Sequence, residues 1–102
     1  MAKAIQIDYR DNVATVTSDV GAGDVVEILS PEGEVLMNPR MSGEVSFGHK
    51  IALKELVKGE EVVKYGEIIG VASSSIGVGV WVHTHNVESA TVPTSAYVEG
   101  GA

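Results

Sequence analysis

The sequence predicts a mainly β domain of short strands with one or two short helices, and three observations carry that reading. Glycine occurs 12 times in 102 residues and aromatic residues make up only 5% of the chain, which suits short strands joined by tight turns. β-Branched residues alternate with polar ones in several runs, as in half-buried strands. An aliphatic-x-x-Gly-x-x-Val signature recurs three times, at Val20-Gly23-Val26, Leu56-Gly59-Val62 and Ile76-Gly79-Val82. Each copy reads as a core-anchored half-turn whose glycine takes a backbone shape closed to bulkier residues before a strand begins. The unequal spacings exclude a solenoid and suit similar units packed around a pseudo-symmetric core. Coincidence in a Gly/Val-rich chain is the plainer alternative.

Taken in order, residues 4–9 alternate Ala4, Gln6 and Asp8 against Ile5, Ile7 and Tyr9, a strand pattern. Residues 12–16 form a second short strand opened by the turn pair Asp11-Asn12, and residues 24–30 a third, followed by a turn at 31–34. Residues 43–52 are extended with a bend at Gly48. Residues 53–58 carry good helix formers over about one and a half turns, so a short helix or 3₁₀ turn ended by Gly59 is expected there, above all at 53–57. Residues 61–64 and 67–72 read as a hairpin around Tyr65-Gly66, with Tyr65 packing; residues 73–75 are a loop; residues 80–85 are the last strong strand. The pattern weakens from Val87. The organisation expected is one domain over 1–102, with its core at 11–87 and a loosely held tail at 88–102.

Seven Lys and Arg stand against 14 Asp and Glu, a net charge of −7. That argues against nucleic acid and anionic membrane as partners. Without cysteine there are no disulfides, thiolate metal sites or cysteine nucleophiles in the chain. No apolar run approaches the ~20 residues of a membrane span, and the first residues lack the apolar stretch of a signal peptide; a cytoplasmic location is expected. A domain this small buries a modest core, so a partner is expected to add burial.

The chemistry-bearing residues are few. His83 and His85, two apart in a strand-like run, would lie on one side at roughly 7 Å between Cα atoms. Trp81 would share that side, with Val80, Val82 and Thr84 on the core side. Two such imidazoles suit a shared metal ion, a substrate carboxylate, or acid and base work near neutral pH. Two polar residues on the outer face of an antiparallel strand is the plainer reading. Gly48-His49-Lys50 makes a small basic spot at a bend, suited to a carboxylate or phosphate, or a solvated turn. No G-x-S-x-G elbow or phosphate loop surrounds Ser73-Ser74-Ser75.

The segments Gly48-His49-Lys50-Ile51-Ala52-Leu53, Lys58-Gly59-Glu60, Lys64-Tyr65-Gly66-Glu67, Ile69-Gly70 and Trp81-Val82-His83-Thr84-His85-Asn86, with Asp11-Asn12-Val13-Ala14 before them, together resemble the small SAF-type domain of altronate and galactarate dehydratases. The resemblance covers roughly 11–87. It implies a β-clip fold and the role of a small subunit in a two-subunit sugar-acid dehydratase, inactive without a large dehydratase subunit. The chemistry implied is loss of water from a small hydroxy-acid substrate to give a 2-keto-3-deoxy acid. A divalent metal, Fe(2+) in kind and shared with the large subunit, would stabilise the enediolate. The matching positions are His83 and His85 as metal ligands or acid/base groups, and His49 and Lys50 as substrate-binding groups. Trp81 stands where the family varies. A related sulfo-lyase small subunit, or a non-catalytic SAF module binding carbohydrate or protein, are the alternatives, and homo-oligomerisation stays open.

Overall fold

The structure, a computed structural model, describes residues 1–89. The turn signature organises it, and among the described residues four copies form the same turn unit. The further copy, Val45-Gly48-Ile51, ends on isoleucine where the other three end on valine. At each copy a backbone N–H closes a four-residue turn: Asp24 onto Gly21, His49 onto Ser46, Glu60 onto Val57 and Val80 onto Gly77, at 2.9–3.1 Å. Gly23, Gly48, Gly59 and Gly79 hold φ of 79–91°, the third position of a type II turn, which favours glycine.

The four units pair as twos. Val20 and Val45 exchange both backbone hydrogen bonds at 2.9 Å, and Leu56 and Ile76 do the same at 2.8 Å. Within the first pair, the Gly23 N–H donates to Met41 and the Gly48 N–H to Val16; within the second, Gly59 donates to Ala72 and Gly79 to Ala52. These bonds relate the two members of each pair by a local two-fold. Each pair also encloses its own core. Val16, Val20, Val26, Met41, Val45 and Ile51 lie in one buried cluster, and Ala52, Leu56, Val62, Ala72, Ile76 and Val82 in the other.

The strands are β1 (Ala2–Ile5), β2 (Val13–Val16), β3 (Val26–Leu29), β4 (Val35–Met37), β5 (Lys50–Ala52), β6 (Glu61–Lys64), β7 (Glu67–Ala72), β8 (Trp81–Val82) and β9 (Val87–Glu88). One sheet runs β4-β3-β1-β2-β5-β8 and the other β6-β7-β9. Only the β1–β3 pair is parallel. Strands β2 and β5 serve both cores, because successive side chains point to opposite faces: Val13 and Ala52 enter one cluster, Ala14 and Ile51 the other.

The mainly β reading holds, and the short helix does not. Among the described residues there is no helix, hence none long and apolar enough to cross a membrane. At 53–58, Leu56 bridges to Ile76 and turns the segment into a pairing unit; so short a stretch has too little propagation to offset helix nucleation. The expected strand at 4–9 stops at Ile5. Beyond it the buried Gln6 amide donates to the Asp11 carbonyl at 2.9 Å and the Asp8 carboxylate accepts from the Arg10 N–H at 2.8 Å, curling the chain into a turn.

The β6–β7 hairpin forms where expected, on Tyr65 (φ 58°) and Gly66 (φ 75°), a two-residue turn with both φ positive. Tyr65 does not pack into a core; it is exposed, with the Lys64 ammonium 5.0 Å from its ring centroid. The Asn12 side chain ties this hairpin to β2, donating to the Glu61 carbonyl and accepting from the Val63 N–H, both at 2.8 Å. Buried Asp11 accepts from the Gly66 N–H at 2.8 Å. Val87–Glu88 pairs with β7 where the pattern had weakened; the rest of the expected tail, from residue 90, lies outside the described residues.

Candidate functional site

The site forms where β5 meets β8. Lys50 pairs with Val82 and Ile51 with Trp81, which sets His49 and Lys50 beside the Trp81-to-Asn86 segment. The expected strand at 80–85 ends at Val82. The Asn86 side chain takes over there: its Oδ1 accepts from the His83 N–H at 2.9 Å, its Nδ2 donates to the Trp81 carbonyl at 2.8 Å, and its own N–H donates to the His83 carbonyl at 3.0 Å. The two histidines therefore ride on a tight turn, not a strand. Val82 is buried as expected, but Thr84 is exposed because alternation has stopped.

Three histidines gather around the single tryptophan. The Trp81 indole N–H donates to Nδ1 of His49 at 3.3 Å, and the two rings meet edge-on with centroids 5.5 Å apart. His83 stacks on Trp81 at 5.2 Å and 13°, and touches His49 edge-on at 5.2 Å. His85 lies against Trp81 at 4.9 Å. The four residues singled out in the sequence thus converge.

They do not converge equally. A cleft of about 280 Å³ is lined by Lys50 of β5, Ile69 of β7, His83 and Thr84 of the turn, and Val87 and Glu88 of β9. Of the four, only Lys50 and His83 line it; His49 sits behind His83, and His85 is exposed beside it. The volume lies at the lower edge of the ~300–1,000 Å³ usual for ligand sites. A second cleft between Asp19–Gly21 and Glu44–Ser46 carries carboxylates and neither histidine nor lysine, so an anion would favour the first.

The electrostatics of the first cleft follow from burial. Burial, and then the nearby Lys64 charge, push the Lys50 ammonium below its usual 10.5. Among the described residues Lys50 makes no ion pair; those present are Lys3–Glu27, Arg10–Asp8 and Lys54–Glu60. A half-buried cation without a counter-ion, in a chain of net charge −7, invites an anionic ligand. Burial, followed by Lys50, His49 and His85, holds His83 below its usual 6.5, so it enters the cleft neutral near pH 7.

Metal is a poorer fit. Among the described residues no three His, Asp or Glu side chains are grouped to hold one ion, and Nδ1 of His49 is already engaged by Trp81. Trp81, Asn86, Ile69 and Glu88 were not singled out as site residues. The Asn three positions after His83 was the one visible signal, since Asn side chains close turns on nearby backbone.

The family described as "Altronate/galactarate dehydratase SAF domain" matches residues 2–90. An altronate dehydratase of Escherichia coli is 36% identical over 85 residues, covering 83% of this chain and 16% of that protein. One from Bacillus subtilis is 33% identical over 89 residues, covering 87% and 17%. A (2R)-sulfolactate sulfo-lyase subunit alpha of Chromohalobacter salexigens is 31% identical over 83 residues, covering 80% of this chain and 88% of that one. The chain spans about a sixth of the length of these altronate dehydratases and most of the sulfo-lyase subunit.

Proposed function

The chain belongs to the altronate/galactarate dehydratase SAF-domain family, and from that premise we propose that it is the small subunit of a two-subunit lyase. The reaction is loss of water from a hydroxy acid to give a 2-keto-3-deoxy acid. The observation that carries this is the cleft: it is lined by both a neutral His83 and a half-buried Lys50 that has no ion pair among the described residues. A carboxylate and an adjacent acidic C–H need such a pair.

In this reading Lys50 binds the substrate carboxylate, and His49 supports the same group. His83 takes the proton alpha to the carboxylate, and the C–H electrons form the new double bond as the beta carbon–oxygen bond breaks. His85, exposed on the same turn, delivers the proton with which the hydroxyl leaves as water. The resulting enol then tautomerises to the keto acid. A divalent metal such as Fe(2+) belongs to the chemistry expected of the family; the described residues do not by themselves complete a site for it. His83 and His85 would supply at most part of a coordination shell finished by the large subunit. The small, open cleft also needs that subunit to exclude water.

A second reading keeps the roles and changes the leaving group to sulfite. It is favoured by the chain's 88% coverage of a sulfo-lyase subunit alpha. The test is the complex of this chain with its large subunit, assayed on altronate, galactarate and (2R)-sulfolactate for keto acid and for sulfite. Keto acid without sulfite supports the dehydratase, and sulfite release the sulfo-lyase. Neither product from a complex that forms leaves the chain a binding module.

A further inference from the structure

The indole N–H of Trp81 is a donor with no acceptor capacity, so the nitrogen it meets must carry a lone pair. That nitrogen is Nδ1 of His49, at 3.3 Å. A neutral imidazole holds one proton; with Nδ1 accepting, the proton sits on Nε2. The opposite tautomer would set two N–H groups against each other. The rest of the indole is also engaged, stacked on His83 at 13° and against His85. His49 in turn closes on the edge of His83, with centroids 5.2 Å apart. One side chain thus touches all three histidines of the chain.

We propose that Trp81 is a positioning residue: through its indole N–H it holds His49 as the Nε2–H tautomer, a hydrogen-bond donor toward an anionic group, while its ring face stacks on His83. The inference deepens the lyase reading and rests on it for its kinetic consequence, whereas the tautomer stands on geometry alone. It separates two histidines that composition and spacing leave equivalent. His49, tied through Nδ1, has only an N–H to offer, from its place behind His83; the His83 ring is held by stacking and not by a hydrogen bond to the indole. Among the described residues, the charged or titratable groups beside the pair are Lys50 and His85, with Glu88 lining the same cleft as His83 and Lys64 acting on Lys50.

The test is long-range ¹H–¹⁵N correlation of the imidazole nitrogens in the ¹⁵N-labelled full chain at pH 8. Wild type is expected to show His49 with Nε2 protonated and Nδ1 bare. In Trp81→Phe, which keeps an aromatic ring and loses the donor, the two His49 nitrogen shifts should move toward each other as tautomers exchange. His49→Ala should move the Trp81 indole N–H resonance upfield and speed its exchange with solvent. This second measurement decides the matter if Trp81→Phe does not fold. In the reconstituted complex, Trp81→Phe should raise KM by about tenfold, the scale of a lost hydrogen-bond donor to a charged group, with kcat within about twofold, the split expected when binding and not proton transfer is impaired. A wild-type His49 protonated at Nδ1, an indole resonance indifferent to His49→Ala, or an unchanged KM in Trp81→Phe overturns the inference. A wild-type complex that binds but does not turn over defeats the lyase reading instead, and the spectra still judge the tautomer.

Discussion

Lys50 stands opposite Val82 across the β5–β8 pair, and this one register joins core to cleft. Val82 is fully buried in the second core cluster, while Lys50 lines the cleft beside His83. A single step along the chain, from Val82 to His83, therefore separates a residue that holds the fold from one that lines the cleft.

The two substitutions should part accordingly. Val82→Ala should cost about 1–3 kcal/mol by cavity formation and leave activity per folded molecule intact. His83→Ala should melt within about 0.5 kcal/mol of wild type and lose about a hundredfold or more in kcat. Thermal melts set beside kinetics of the reconstituted complex measure both.

Two glycines should fail in different ways. At Gly59 (φ +91°) an added Cβ meets nothing within 4 Å, so Gly59→Ala carries backbone strain alone. It should cost about 1–2 kcal/mol without touching the site. At Gly70 the Cβ would fall 2.6 Å from Val87 Cγ1 and 2.7 Å from the Glu88 carbonyl. Because Val87 and Glu88 line the cleft, Gly70→Ala should push β9 from β7 and raise KM. Denaturant melts and substrate titrations separate the two.

The pH dependence has a definite sign. Burial first, then Lys50, His49 and His85, hold His83 below 6.5, so the acid limb of kcat should lie below pH 6.5. In Lys50→Met it should shift toward 6.5, because one cationic neighbour is gone. Between the lowered value and 6.5 the folded chain binds fewer protons at His83 than the unfolded chain. Stability should therefore fall as pH falls through that window, and His83→Gln should flatten the fall. Activity and melting profiles from pH 5 to 8 read out both.

Lys50 should trade stability for binding. Burial and Lys64 lower its ionisation from 10.5, so at pH 7 the fold carries the full penalty of the charged form, relieved only as pH rises toward 10.5. Lys50→Met should raise Tm at pH 7 and raise KM by about tenfold or more, the scale of a lost charge-assisted contact. A lower Tm would show that Lys50 is held by favourable contacts.

The turn-and-strand units were legible because one glycine at a forced φ and two flanking aliphatics leave a mark that needs no tertiary knowledge. The Val45–Gly48–Ile51 unit escaped only through its terminal isoleucine. The pairing of Leu56 with Ile76 was invisible, because bonds between distant residues leave no local pattern, and helix formers at 53–58 pointed elsewhere. His83 and His85 were found by alternation that does not in fact extend to them. They stay together because Asn86 closes their turn and Trp81 lies against both rings. The unequal exposure of the histidines to the cleft depended on β7 and β9, whose approach no motif announced.

The central claim is that this chain contributes Lys50 and His83 to a lyase site completed by a large subunit. The most direct measurement is keto-acid formation from hydroxy-acid substrate by the purified chain, by the large subunit, and by their complex carrying wild-type chain or His83→Ala. The account predicts no turnover from either subunit alone, turnover from the wild-type complex, and a loss of about a hundredfold or more in the His83→Ala complex. Full activity of the large subunit alone, or of the His83→Ala complex, would contradict it.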